Sequence, residues 1–540
     1  MHHVSLMRHG LAVGWIAAGV VLTAIVSYSL KAQESSGKQA SPNAKTTIPE
    51  TWDEARLASL QVPLAHAGVS ARHVSKEYYT SLPVRPIYKS YDVYRPDLEP
   101  KGYLDWLKKL EPEVEWDETK SPALNSEADW IKAGELVFDS SLGWGNGAIM
   151  GPYEGMQVRD PEWYKNTQAP LTSDGKLPFY RYVIRTKGRV EVTRLSCAMC
   201  HTRVLPDKTV VKGAQGNFPF GRAVAYDTRK TNSADFARSL ELLLFGAPWL
   251  RPDPLAGLGK KSVEDIASAH ALVPAGVLAR HGSGVWSPVQ VPDLIGIQHR
   301  MYLDRTGLIR HRDIGDLMRY AALNQDADSL ARHGSFRPIA AFNKDFLNKL
   351  PPPAPAGEAP GGRYSDVQLF ALAKYVYSLK PPENPNLPKT NAERERVARG
   401  AKLFSESGCV KCHDPKQGYT NNKLARAPGF TVPGDHPEKA NILAQSVGTD
   451  STLTLRTRRG TGLYKVPSIQ GVWYRGPFEH NGSVATLEDW LDPKRLEDGY
   501  VPTGWKGPPG MKTRAVVGHE FGLDLPADDR KALIAFLKTL

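Results

Sequence analysis

The chain has only four cysteines in 540 residues, and they fall in two identical frames. Cys197, Cys200 and His201 stand in RLSCAMCHTRV, and Cys409, Cys412 and His413 stand in SGCVKCHDP. Cys-x-x-Cys-His is the attachment signature of c-type haem. One helical turn brings positions i, i+3 and i+4 towards one face. Two thiols can then form thioethers with the porphyrin vinyl groups while the imidazole binds iron from the proximal side. A thioredoxin-like redox pair would need a βαβ setting, and a structural zinc site would need both pairs to converge on one ion. The sequence therefore predicts two covalently bound c-type haems. Cys197, Cys200, Cys409 and Cys412 are the attachment points, and His201 and His413 are the proximal iron ligands.

Two held cofactors need helices to frame them, and the sequence repeats such a set. ERERVARGAKLFSESGCVKCH leads into the second frame, with Val397, Gly400, Leu403 and Phe404 at helical spacing. Upstream of the first frame, ADWIKAGELVFDSSLGWGN places Gly134 and Phe138 at the same step as Gly400 and Phe404. Glycine at that point lets another helix approach closely. The closing helices repeat too. SDVQLFALAKYVYSLKPP puts Tyr375 and Leu379 at one end, and ADDRKALIAFLKTL puts Phe536 and Leu540 likewise. Asp366 and Asp528 stand where acidic residues favour a helix start. The opening stretches resemble the first helix of class I cytochrome c domains, a fold whose first and last helices cross over the haem.

The fold expected is mainly α, with two cytochrome c-like haem domains and long irregular insertions. The first domain covers residues 125–382 and the second 392–540, joined by the linker PPENPNLPKTN. Residues 33–124 form a tether and a proline- and tyrosine-rich lead-in. The two domains are not equivalent. Phe404 nearly abuts Cys409, whereas a long insertion separates Phe138 from Cys197. Long ordered segments around a cofactor usually shape a site, and a simple electron carrier does not need them.

At the N-terminus, Arg8 is followed by an uncharged apolar run, residues 10–30, and then by a polar stretch from Lys31. That order is an export signal, and the run is also long enough to span a bilayer. Residues 1–32 thus read as a cleaved signal peptide or a retained membrane anchor, and the body of the protein as periplasmic or otherwise exported. The formal charge of +12 would fall to about +8 with four haem propionates. It suits an acidic partner or a membrane surface as well as a plain basic soluble protein. No nucleic-acid-binding motif occurs.

The segment YKVPSIQGVWYRGPFEHNGSVATLEDWL, Tyr464 to Leu491, resembles the di-haem cytochrome c peroxidase and MauG-type superfamily. There a similar Pro-aromatic-x-His-(Asp/Asn)-Gly stretch precedes a Thr-Leu helix start. The close, GHEFGLDLPADDRKALIAFLKTL, is more similar to the branch with RoxA-type rubber oxygenases. The resemblance implies unequal haems, one six-coordinate for electron relay and one with an open or weakly held position. It also implies bis-histidine ligation of the second haem by a histidine near the C-terminus, which here is His519. Met511 and His480 are the alternative axial ligands. The distal Gln-Glu pair of the peroxidases has no recognisable counterpart. The segment Leu294–Tyr320 is the candidate distal region of the first haem, where His299, Tyr302, Arg305 and His311 could donate to a bound oxidant. Arg222 and Arg229 could pair with propionates.

Together these features predict an exported di-haem oxidoreductase. The C-terminal haem relays electrons, and the N-terminal haem reacts with peroxide or oxygen. Its partners would be a redox protein and a small oxidant or organic substrate. The alternative is a non-catalytic periplasmic electron-transfer cytochrome with both irons six-coordinate.

Overall fold

The opening helix of the first haem frame spans Glu127–Asp139. It starts at a capping box in which the Ser126 hydroxyl accepts from the Asp129 amide and the Asp129 carboxylate accepts from the Ser126 amide. Such a box satisfies two amides that have no partner within the helix. The closing helix, Asp366–Ser378, starts at an equivalent box between Ser365 and Gln368. The two helices cross at Gly134, where a Cβ would lie 2.0 Å from the Ala371 carbonyl oxygen and 2.6 Å from the Tyr375 Cβ. In the second frame the opening helix, Asn391–Glu406, begins at a Thr390–Glu393 box, and the closing helix is Ala527–Leu537. They cross at Gly400, where a Cβ would lie 2.0 Å from the Ala532 carbonyl oxygen and 2.7 Å from the Phe536 Cβ. Aromatic pairs seal both crossings: Phe138 on Tyr375 at 5.2 Å between ring centres, and Phe404 on Phe536 at 5.3 Å.

These crossings belong to a computed structural model that describes residues 47–66, 69–141, 156–193, 195–235, 237–238, 241, 246–252, 257–279, 283–325, 330–333 and 362–540. Pro49–Leu540 is one compact unit. The expected signal or anchor, residues 10–30, lies outside the described residues. Among the described residues no helix is long and apolar enough to cross a membrane.

The expectation of a mainly α fold is met only in part, since 35% of the described residues are helical and 13% are in strands. Much of the strand lies in the insertion between the first opening helix and Cys197. Lys176–Thr186 is the centre of a three-stranded antiparallel sheet, flanked by Ser90–Tyr94 and Arg189–Val192. Its sequence, KLPFYRYVIRT, is rich in the aromatic and β-branched residues that suit a pleated surface. Phe179, Tyr182 and Ile184 join a core with Trp163, Phe218 and Met199, so the sheet packs directly behind the first haem frame. The lead-in is woven into the same unit. Trp52 stacks on Tyr79 with ring centres 4.1 Å apart, and Ala71–His73 pairs with Ala331–His333. One more helix, Ile314–Gln325, packs on the closing helix of the first frame.

The crossings yield a direct stability prediction. Gly400→Ala gains up to about 1 kcal/mol of helix propensity but places a methyl group into the Ala532 carbonyl. Overpacking of that kind costs about 1–3 kcal/mol. Thermal unfolding followed by circular dichroism is expected to show a lower Tm for Gly400→Ala and Gly134→Ala. Gly434→Ala should leave Tm nearly unchanged, because a Cβ there meets nothing within 4 Å.

Candidate haem sites

In the first frame, Cys197–Cys200 forms a single helical turn. The Ser196 hydroxyl caps it by accepting from the Met199 amide at 3.1 Å, and the His201 amide closes it on the Cys197 carbonyl at 2.9 Å. Gly216 packs against this turn so tightly that a Cβ would lie 2.2 Å from the Cys200 carbonyl oxygen. Cys197, Cys200 and His201 open onto a cavity of about 1070 Å³. Phe138, Leu369, Leu372 and Val376 wall it with the two crossing helices. The helix Ile314–Gln325 contributes Leu317, Tyr320, Ala321 and Asn324, the i, i+3, i+4, i+7 face of that helix. Sites that bury a cofactor are mostly apolar with a few convergent polar groups. This one fits a porphyrin tethered on the cysteine side. Its polar end holds Asp304, Arg305, Tyr320 and Asn324. The Tyr320 hydroxyl donates to Asp304 Oδ2 at 3.3 Å.

In the second frame, Gly408 takes a positive φ of 79° and turns the chain out of the opening helix into the turn Cys409–Lys411. The His413 amide donates to the Cys409 carbonyl at 2.8 Å, and His413 Nδ1 lies 3.1 Å from the Tyr419 carbonyl oxygen. Donation there leaves Nε2 for a metal. The His519 ring sits across from His413, with ring centres 6.2 Å apart and planes at 55°. Two imidazoles bound to one metal at about 2 Å each have ring centres about 6 Å apart. Burial, reinforced by His519, pushes His413 down to about 4, and burial also lowers His519. Both rings are therefore neutral at ordinary pH, the form that ligates metals. Arg495 holds the loop that carries His519. Its guanidinium donates to the carbonyls of Val516 at 2.5 Å, Gly518 at 3.0 Å and His519 at 2.8 Å.

The alternative axial candidates lie elsewhere. Met511 is 46% exposed and packs on Gly507, the position of a surface side chain. His480 is buried, but carboxylates flank both ring nitrogens: Nδ1 pairs with Glu479, and Nε2 lies 3.6 Å from Asp450. Tyr464 covers its ring at 4.8 Å. Burial opposes a charge on His480, yet Glu479 and Asp450 outweigh it and hold the pKa up at about 9. Burial likewise opposes charge on Glu479, but His480 and the Thr449 hydroxyl bring it down to about 2. His480 thus has a carboxylate beside each ring nitrogen, the setting of a buried ion pair.

Of the four distal candidates, only Arg305 lines the cavity of the first frame. His299 is exposed, on a short turn. The Tyr302 hydroxyl donates to Glu438. The His311 ring nitrogens contact the Arg300 carbonyl at 2.8 Å and the Tyr377 hydroxyl at 2.7 Å. The arginines proposed for propionates are engaged elsewhere as well. Arg222 donates to the Thr167 carbonyl at 2.6 Å, and Arg229 pairs with Glu264 at 2.7 Å. Sequence reasoning passed over Asp304, Tyr320 and Asn324. The helical period of Leu317, Tyr320, Ala321 and Asn324 was available as a signal, but not which neighbour that face meets.

No protein-family model matches the chain. An uncharacterized protein of Sinorhizobium fredii, y4iJ, is 26% identical over 252 residues, covering 30% of this chain. The match takes in 41% of that curated relative's length. Among solved structures, hydrazine synthase of Kuenenia stuttgartiensis is similar over 56% of this chain and 86% of its own, at 16% identity and a TM-score of 0.27. A MauG-like protein associated with microbial copper homeostasis is similar over 34% and 62%, at 20% identity and a TM-score of 0.21. The diheme peroxidase BthA from Burkholderia thailandensis is similar over 84% and 93%, at 13% identity and a TM-score of 0.23. Likeness at these TM-scores does not establish a shared fold or activity.

The His480–Glu479 pair makes a pH prediction. A histidine whose pKa rises on folding lends stability that is fully present below the unfolded value and is lost as pH climbs through the folded one. Urea unfolding is expected to show wild-type stability falling as pH rises towards and past about 9. At pH 7, His480→Gln should cost about 3–5 kcal/mol, because it leaves a buried carboxylate uncompensated. The variant should also lose this alkaline dependence.

Proposed function

We propose that this chain is a di-haem c-type cytochrome that works as an oxidoreductase, of the kind represented by di-haem peroxidases and MauG-like proteins. The observation that carries this reading is the inequality of the two frames. His413 faces a second imidazole at ligating distance. His201 faces a cavity of about 1070 Å³ in which, among the described lining residues, no other side chain carries imidazole and no sulfur lies beyond the two cysteines. A bis-histidine site is saturated and suits electron relay; a site with room opposite its proximal histidine suits activation of a small oxidant.

The residues divide the work accordingly. Cys197 and Cys200 would hold one haem and Cys409 and Cys412 the other, while His201, His413 and His519 would supply nitrogen ligands to the irons. When bound, the haems supply one-electron chemistry and, at the open position, a place for peroxide or oxygen. Leu317, Ala321, Leu369 and Leu372 keep water from that position and favour an apolar reactant. The Tyr320 hydroxyl, whose proton goes to Asp304, presents its oxygen inside the cavity as a hydrogen-bond acceptor. The basic, then apolar, then polar order of the N-terminal residues supports an exported protein, and the basic charge supports one that takes electrons from, or delivers them to, an acidic redox partner. The resemblance of Gly518–Leu540 to the RoxA-type branch, together with the apolar walls, supports an organic substrate.

Carbon monoxide binding to the reduced protein tests the inequality. Wild type is expected to bind one equivalent per chain, and His519→Ala two. Zero or two equivalents in wild type would contradict the reading, and zero would favour a pure electron carrier.

A further inference from the structure

A second cavity, of about 390 Å³, lies beside the first, and Pro292 and Arg305 line both. Its far wall comes from Thr420, Pro467 and Ser468, in the segments that surround His413. Its charge is unbalanced. Arg300, Arg305, Lys423, Lys465 and Arg475 line it, against a single carboxylate, Asp293.

That carboxylate is already shared. Asp293 Oδ2 accepts from the Tyr474 hydroxyl at 3.0 Å and lies 3.7 Å from the Arg475 guanidinium. The remaining cations reach mainly backbone. Arg300 donates to the Asp293 and Ile295 carbonyls, Arg305 to the Gln290 carbonyl at 3.3 Å, and Arg475 to the Ser468 carbonyl at 2.9 Å. Among the described residues, no carboxylate lies within ion-pairing distance of Lys465 or Arg305. Burial, with the neighbouring guanidinium groups of Arg305 and Arg300, drives the Lys465 ammonium well below its usual range. Cations withdrawn from water need anions nearby, since backbone carbonyls alone do not repay their lost hydration.

We propose that this basic cavity is a carboxylate socket that receives haem propionates at the boundary between the two haem sites, with Arg305, Lys465 and Arg475 as its principal contacts. The proposal rests on the di-haem reading above. Arginine and lysine recognise carboxylates through charge-assisted hydrogen bonds, and the socket borders both frames. Positive charge held against a haem favours its reduced form, so these side chains set the haem potentials. A free carboxylate or inorganic anion would satisfy the same cations, and the test separates the two sources.

Haem content by pyridine haemochrome comes first. Fewer than two haems per wild-type chain would overturn the di-haem reading itself. With two haems present, Arg305→Gln and Lys465→Gln are expected to shift the propionate bending bands of the resonance Raman spectrum. They should also lower at least one midpoint potential by about tenfold in the reduction equilibrium, about 59 mV for one electron. Arg305→Lys and Lys465→Arg should stay close to wild type. Wild-type potentials should not respond to added acetate or phosphate. Unmoved bands and potentials in both glutamine variants, at full haem content, would overturn the proposal. So would a saturable shift of wild-type potentials with acetate or phosphate, which would assign the cavity to a free anion. If either glutamine variant fails to take up haem, the charge-keeping variants and the wild-type anion titration still decide.

Discussion

An alanine carbonyl pressed onto a glycine sets the geometry of both Cys-x-x-Cys-His frames. At Gly134 on Ala371 and at Gly400 on Ala532 the helices are so close that any side chain would force them apart. Glycine inside a helix costs about 1 kcal/mol relative to alanine, and the aromatic pairs beside each crossing show what the close approach gains in return. Phe138 and Tyr375, and Phe404 and Phe536, pack at nearly equal distances and tilts. The wall of the first cavity is made from the same two helices, so its width follows from the crossing.

The frames diverge in what is attached to them. In the second, the Cys-x-x-Cys-His turn follows the opening helix directly, and a loop clamped by Arg495 brings His519 over His413. In the first, the turn sits on a three-stranded sheet, and the helix Ile314–Gln325 walls the cavity onto which His201 opens. That helix presents Leu317 and Ala321 to the cavity together with the polar Tyr320 and Asn324. The same crossing therefore carries a site where two imidazoles face each other and a site with a roomy cavity. The excess of partly buried positive charge lies where the two cavities adjoin, and partial removal from water strengthens its action there.

Much of this was legible in the sequence, for identifiable reasons. Covalent attachment needs fixed residue types at fixed spacing, so the two Cys-x-x-Cys-His frames stand out. The glycine–aromatic steps repeat because both crossings obey one steric rule. His519 was reached through resemblance, and the geometry places it opposite His413. What failed depended on tertiary neighbours. His480 has the look of a ligand until Glu479 and Asp450 are seen on its two nitrogens. His299, Tyr302 and His311 share a segment with Arg305, but an irregular chain turned them to solvent, to Glu438 and to Tyr377. The strand Lys176–Thr186 was hidden in a stretch read as irregular, although its residue types favour a sheet. The basic cavity draws its cations from residues far apart in the chain, and no local pattern marks them.

The central claim is that one frame is closed and the other open. Electron paramagnetic resonance of the ferric wild-type protein, before and after cyanide, tests it most directly. The account predicts one low-spin, bis-imidazole signal that cyanide leaves unchanged and one high-spin signal that cyanide converts to low spin. Two low-spin signals, both unmoved by cyanide, would contradict it.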